Sequence, residues 1–341
     1  MGRRGRRARS TVVRTALLTA LLPTLVLSCS SNPPGPPAAP VPPATPPVAS
    51  APSAPPTAPV PAPVSMFTGL PTDVAAPVLC VKIDNASPAR PQTGLDLADI
   101  VYMEPVEGGI SRLMAVFQSQ IPPVVGPVRS ARQSDLELLA NFGHPALAFS
   151  GEAAALRPLI DRAPVLDVSA PVRPGAYHRN EHRPAPHNLF ADTSQLRGGA
   201  PARDIGFRFG PTPPGGEPMT ETTVRYNAAS ITAHWVPAEA RWVMDMDGAP
   251  LTATSGARPG AKTVVLQRVA VHNTDIRDAT GAPSPFAETV GNGDVVVLRD
   301  GQAYHGHWSR PAPDAGTTFT LPDGAPLTFA PGQVWVVLVP A

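Results

Sequence analysis

Ile100-Val101-Tyr102-Met103-Glu104-Pro105, then Val106-Glu107-Gly108-Gly109, then Ile110-Ser111-Arg112-Leu113-Met114-Ala115-Val116-Phe117-Gln118 follow one another without a break. The outer runs are β-like, and the middle carries turn residues. The spacing predicts a β-hairpin. Just upstream, Val78-Leu79-Cys80-Val81-Lys82-Ile83 is a continuous apolar run ending in Asp84-Asn85, which predicts a buried strand. Cys80 in that run reads as a buried, inert thiol, since no base is evident beside it.

Around this nucleus, Thr93–Asp99 predicts a short helix, Ala146–Ser150 a strand, Glu152–Asp161 a helix and Val165–Ser169 a strand. Ser134-Asp135-Leu136-Glu137 has the spacing of a capping box with an apolar stripe behind it. Residues 66–205 are therefore expected to form a mixed α/β domain. Gly206–Pro218 is rich in glycine and proline and marks a linker. Over 219–341, strand runs alternate with Asp247-Gly248, Asn292-Gly293, Asp300-Gly301 and Asp323-Gly324. Such pairs tolerate the positive φ of tight hairpins. The expectation is an α+β protein: the mixed first domain, then a mostly β domain, barrel-like or sandwich-like.

The chain has 341 residues and 47 prolines, fifteen of them between Pro33 and Pro63. That clustering excludes one globular body from end to end. Residues 1–28 carry six arginines, no acid, and an apolar stretch from Ala16 to Leu27. This stretch is too short for a spanning helix and fits a signal peptide. Val26-Leu27-Ser28-Cys29 resembles a bacterial lipobox, with Val26 where leucine is usual. Cys29 is then the lipidation site, an acylated and palmitate-type membrane anchor. Residues 29–65 form a Pro/Ala-rich linker without charge, able to reach on the order of 100 Å at about 3.1 Å per residue. Export and lipid anchoring predict an extracytoplasmic protein on a bacterial cell membrane. Without the six leading arginines, 27 bases against 26 acids become 21 against 26. A net negative chain argues against nucleic acid as partner.

The unusual polar residues fall into patches: Asp84-Asn85 with Arg90-Pro91-Gln92; Tyr102, Glu104, Glu107-Gly108-Gly109 and Arg112; Gly126-Pro127-Val128-Arg129-Ser130-Ala131-Arg132; and Pro186-His187-Asn188-Leu189. These motifs, with Ala98-Asp99-Ile100-Val101-Tyr102, Asp300-Gly301, Trp308 and Pro331-Gly332-Gln333-Val334-Trp335, resemble the YerB-like bacterial lipoproteins. The resemblance covers nearly everything after the linker. It implies an exported, lipid-anchored, two-domain protein, and it supplies no catalytic residues.

Read for themselves, Arg129 and Arg132 precede a helix start, a place that favours an anion. Asp84, Glu104 and Glu107 can accept from sugar hydroxyls or pair with Arg90 and Arg112. Three readings stay open: an internal Arg–carboxylate network, a ligand site, and catalysis. The leading functional hypothesis is a non-enzymatic, lipid-anchored envelope protein that binds through these residues. Its candidate ligand-binding residues are Asp84, Asn85, Arg90, Glu104, Glu107, Arg112, Arg129, Arg132, His187 and Asn188. Its partner is an anionic or carbohydrate component of the envelope, such as cell-wall glycan, or an envelope protein. The alternative is an envelope-polymer hydrolase or transferase using Glu104 or Glu107 with His187. His178, His182 and His187 match no standard zinc spacing, Ser130 has no nucleophile elbow, and no nucleotide-binding fingerprint is present, so no metal or cofactor is implied.

Overall fold

The computed structural model describes residues 63–341, together with Gly35. The signal-peptide region 1–28, Cys29 and nearly all of the linker lie outside the described residues. The described residues from 63 onward belong to one compact unit.

The expected hairpin is present. Strand β2 (Ile100–Pro105) pairs antiparallel with β3 (Ser111–Phe117), and β1 (Leu79–Asp84) pairs on the far side of β3. Their interiors are buried throughout, which explains the near-continuous apolar sequence. Beyond β1 come Ala146–Ala148 and Leu166–Asp167, both in parallel. On the other side, β2 pairs in parallel with Val334–Pro340, which pairs in parallel with Thr263–Val269. Gly291–Arg299, Gln302–Arg310 and Thr318–Thr320 extend the sheet in antiparallel fashion. One sheet of eleven strands thus runs through both halves of the chain.

Its two faces bury two different cores. One collects Leu79, Val81, Ile83, Met103, Leu113 and Ala115, covered by a smaller sheet that includes Glu221–Arg225, Ser230–Val236 and Arg241–Met246. Tyr226 fastens that cover where the halves meet: its hydroxyl donates to the Leu338 carbonyl at 2.8 Å. The opposite face collects Cys80, Ile100, Tyr102, Met114 and Val116 beneath helix α1 (Gln133–Leu139) and the aromatic residues Phe142 and Phe149. Alternate residues of each strand serve opposite cores, as the two-residue pleat requires.

The fold is mostly β. The first half also has this character, and it corrects the expectation of a mixed α/β domain. Thr93–Asp99 yields only a 3₁₀ turn at Leu95–Leu97, and Glu152–Asp161 only a turn at Ala154–Leu156 and the four-residue helix Arg157–Ile160. These segments are too short to be helices by propensity, and packing on the sheet decides their form. The capping box is also displaced. Asp135, not Glu137, accepts from the backbone at the helix start, through Arg132 N–H at 2.6 Å. Ser134 Oγ instead accepts from Ala287 N–H at 3.0 Å, and Glu137 accepts from Thr289 and Val290.

Asp247-Gly248 and Asp300-Gly301 turn hairpins with both residues at positive φ. Asn292-Gly293 does not. It lies inside Gly291–Arg299, with Gly293 opposite Trp308. A Cβ at Gly293 would come within 2.7 Å of the Trp308 indole nitrogen, so glycine serves close packing there and not a turn.

Trp335 sits at the centre of the shared sheet with no exposure. Replacing a fully buried tryptophan by alanine is expected to lower unfolding free energy by about 3–5 kcal/mol. Denaturant unfolding of Trp335→Ala, followed by circular dichroism, measures this loss. One cooperative transition in both proteins is expected, because the halves share the sheet.

Candidate functional site

The polar residues cluster where β1 and β2 end and β3 begins, on the α1 face. Arg112 lies directly across from Asp84 on one side and from Glu104 on the other. Two residues further back, Lys82 lies opposite Met114 on the same face. The face is therefore apolar at Cys80 and Val116 and becomes charged over its last two rows.

Lys82 and Glu104 are fully buried. Lys82 Nζ contacts Glu104 Oε1 and lies 2.6 Å from Asp135 Oδ1. Two carboxyls therefore share one ammonium in a dry site. Burial first, and the neighbouring Asp135 charge second, push Glu104 up to about 8, against the opposing pull of Lys82. With Glu104 protonated the trio is electrically neutral. Cys80, one row behind, is buried, and burial pushes its thiol upward.

Asp135 connects this trio to the outer residues. Its other oxygen holds the Arg132 backbone, and the Arg132 side chain grips Glu107. Nη2 donates to Oε2 at 2.7 Å and Nε lies 2.6 Å from Oε1. Ser284 from the second half donates to the same carboxylate. Burial acts to raise the Glu107 pKa, but the hydrogen bonds from Arg132 and Ser284 prevail and hold it below the ordinary value.

Asp84 Oδ2 is shared by His187 Nδ1 at 2.7 Å and Arg129 Nε at 3.1 Å. Asn85 donates to Ser111, and Arg90 reaches the Asn85 carbonyl and pairs with Asp247 at 2.8 Å. Asn188 accepts from Arg179 and donates to the carbonyls of Asn180 and Arg183. Asn85, Arg90 and Asn188 therefore brace loops. Glu104 and Glu107 are joined to Lys82 and Arg132, and His187 is joined to Asp84 instead of to either glutamate.

Arg112 is different. It is 6% exposed, and its guanidinium makes one long hydrogen bond, to the Ser130 carbonyl at 3.3 Å. Its Nε has no partner, and no carboxylate lies within ion-pair distance among the described residues. Burial first, then Arg132 and Arg129, lower its pKa to about 10. It lines a pocket of about 430 Å³ with Arg129, Arg132, Arg277, Glu152 and Asp278. That volume suits a small organic ligand.

Three of these residues were expected from sequence, and others were not. Arg277, Asp278 and Ser284 lie on a hairpin, Val271–Arg277 with Pro283–Ala287, that the sequence pattern does not mark. Pro283 and Pro285 demote that stretch as a strand. The available signal was Asp278-Ala279-Thr280-Gly281, a turn in which Asp278 Oδ1 accepts from Thr280 and Ala282. Lys82 carried a signal as well, being one of two lysines and set two residues before Asp84 in an apolar run.

Residues 67–206 match the family described as "Protein of unknown function (DUF3048) N-terminal domain", and residues 222–336 match its C-terminal domain. The chain belongs to this family. A relative in Bacillus subtilis strain 168, named "Putative lipoprotein YerB", is 27% identical over 274 residues, covering 77% of this chain and 81% of the relative. The crystal structure of Bacillus subtilis YerB superposes with a TM-score of 0.69 at 22% identity, covering 82% of this chain and 97% of that one. The two proteins share this fold over most of both chains.

The buried trio makes stability depend on pH. An unfolded glutamate loses its proton above about 4.3, whereas folded Glu104 keeps it to about 8. In that window the folded state binds one more proton, so stability falls as pH rises. Glu104→Gln imitates the protonated acid and removes this contribution. Between pH 5 and 8 its stability profile is expected to be flatter than the parent's by up to about 1.4 kcal/mol per pH unit, read by urea unfolding at each pH.

Proposed function

We propose that this protein is an exported, lipid-anchored component of the bacterial envelope that binds an anionic ligand in the arginine-lined pocket. The observation that carries the reading is Arg112, a guanidinium almost wholly removed from water yet left without a carboxylate. A buried cation without its counter-ion costs several kcal/mol. An internal network would place an acid against it. Asp84 and Glu104 flank it in register, yet Asp84 turns to Arg129 and His187, and Glu104 to Lys82. The site lacks its anion from within the chain, which favours an anion from outside.

Binding is preferred to hydrolysis because the acid and base groups are occupied by one another. Glu104 is sealed in the dry trio and Glu107 is clamped by Arg132 and Ser284. The location rests on Cys29 and the proline-rich linker, and the lipoprotein name of the Bacillus relative supports it. No helix among the described residues is long and apolar enough to cross a membrane. The anchor would hold the folded part at the membrane while the linker lets the pocket reach outward.

Two outcomes test this reading. Phosphate or sulfate is expected to raise the thermal midpoint of the detergent-purified protein above that in chloride of equal ionic strength, since a ligand of the folded state stabilises it. Arg112→Met should abolish that rise while matching or exceeding the parent's stability without anion, because it removes an uncompensated buried charge. An Arg112→Met protein that is markedly less stable without anion would point to an internal network. For the anchor, Cys29→Ser is expected to move the protein from the membrane pellet to the soluble fraction, as read by fractionation and immunoblot.

A further inference from the structure

The unspent hydrogen-bond capacity around the pocket narrows the ligand class. Among the described residues, neither terminal nitrogen of Arg129 donates to protein; only its Nε is engaged, at Asp84. Arg112 uses one N–H weakly, through Nη1. Two forked guanidinium groups, one on β3 and one on the 126–132 loop, thus line the same pocket with most donors free. They are near enough for Arg129 to lower the Arg112 pKa. A carboxylate has two oxygens in one plane and fills one such fork. A phosphoryl group offers three oxygens in different directions and can serve both.

The rest of the pocket calls for something larger than a lone phosphoryl group. Its 430 Å³ exceeds that group several times over. Small apolar residues, Ala153, Ala154 and Ala279, line part of the wall. Acceptors remain open at the rim. Asp278 commits Oδ1 to its own turn, and Oδ2 receives no protein donor among the described residues. Glu152 receives only a long contact at 3.4 Å from Arg157, on Oε1. Carboxylate oxygens facing a pocket beside small apolar walls suit a ring with hydroxyl donors and C–H faces.

We propose that the pocket takes a phosphorylated sugar, with Arg112 and Arg129 forking the phosphoryl oxygens and Asp278 and Glu152 accepting from sugar hydroxyls. This rests on the anion-binding reading above and adds to it the phosphoryl group and the sugar.

Calorimetric titration of the full-length protein in detergent tests each part. The probes are glucose 1-phosphate, UDP-glucose, inorganic phosphate, glucuronate and glucose. Glucose 1-phosphate or UDP-glucose is expected to bind about tenfold or more tightly than either phosphate or glucuronate, a difference of about 1.4 kcal/mol. Tighter glucose 1-phosphate assigns a free phosphomonoester as the source, and tighter UDP-glucose a sugar held through a diphosphate linkage. Asp278→Asn keeps the Oδ1 acceptor of the turn and should bring the sugar phosphate's affinity down towards that of phosphate, leaving phosphate binding intact. Glu152→Gln gives a second reading of the same effect at an independent position. Arg129→Gln should weaken both phosphate and sugar phosphate. Glucuronate binding as tightly as glucose 1-phosphate overturns the phosphoryl assignment but leaves an anion pocket. Equal affinity for phosphate and sugar phosphate overturns the sugar. Absence of binding by any anion, with Arg129→Gln indistinguishable from the parent, overturns this inference and the reading beneath it together.

Discussion

Lys82 places one ammonium group where no water reaches, and the site is built outward from that constraint. The charge demands partners, and it finds Glu104 from β2 and Asp135 from the start of α1. Asp135 then fixes the Arg132 backbone, Arg132 grips Glu107 at the hairpin turn, and Glu107 takes Ser284 from the second half of the chain. Each link satisfies a polar group that burial would otherwise penalise. The sequence runs from a dry centre to a wet rim, and it sets the position of the pocket wall.

The joined sheet explains why this wall needs both halves. Val334–Pro340 inserts between β2 and Thr263–Val269, so the last strand of the chain stabilises the first hairpin. The 271–287 hairpin, which follows Thr263–Val269, is thereby brought over the end of β2 and the start of α1. Arg277, Asp278 and Ser284 reach the arginines of the first half in that way. The pairing also accounts for two cores of comparable depth. With strands covered on both faces, even the polar end of the sheet is held in low dielectric, where unpaired donors such as those of Arg112 interact most strongly with a ligand.

Much of the strand pattern was legible because buried strands leave continuous apolar runs bounded by turn residues. The 100–118 hairpin, the Asp247-Gly248 turn and the Asp300-Gly301 turn are of this kind. Helical segments were misjudged for a physical reason. Over 93–99 and 152–161 the chain contains compatible residues but too few of them to nucleate a helix, and contacts with the sheet settle the outcome. Asn292-Gly293 looks like a turn only locally. Trp308 across the sheet supplies the reason for its glycine. The 271–287 hairpin was hidden by prolines whose missing donors are tolerated in a two-stranded ribbon with open edges.

The sequence by itself determined most of the longer strands, the most informative tight turns and family membership, because these depend on residues near one another in the chain. It also marked Asp84, Glu104, Glu107, Arg112, Arg129, Arg132 and His187 as a polar group in an apolar setting. Which of them pair was beyond it. Pairing is chosen by distance across strands and by the absence of water, and both arise only when β1, β2, β3, α1 and the distant hairpin pack. Tertiary structure alone decided that Glu104 belongs to Lys82, that Glu107 belongs to Arg132, and that Arg112 is left without a carboxylate partner among the described residues.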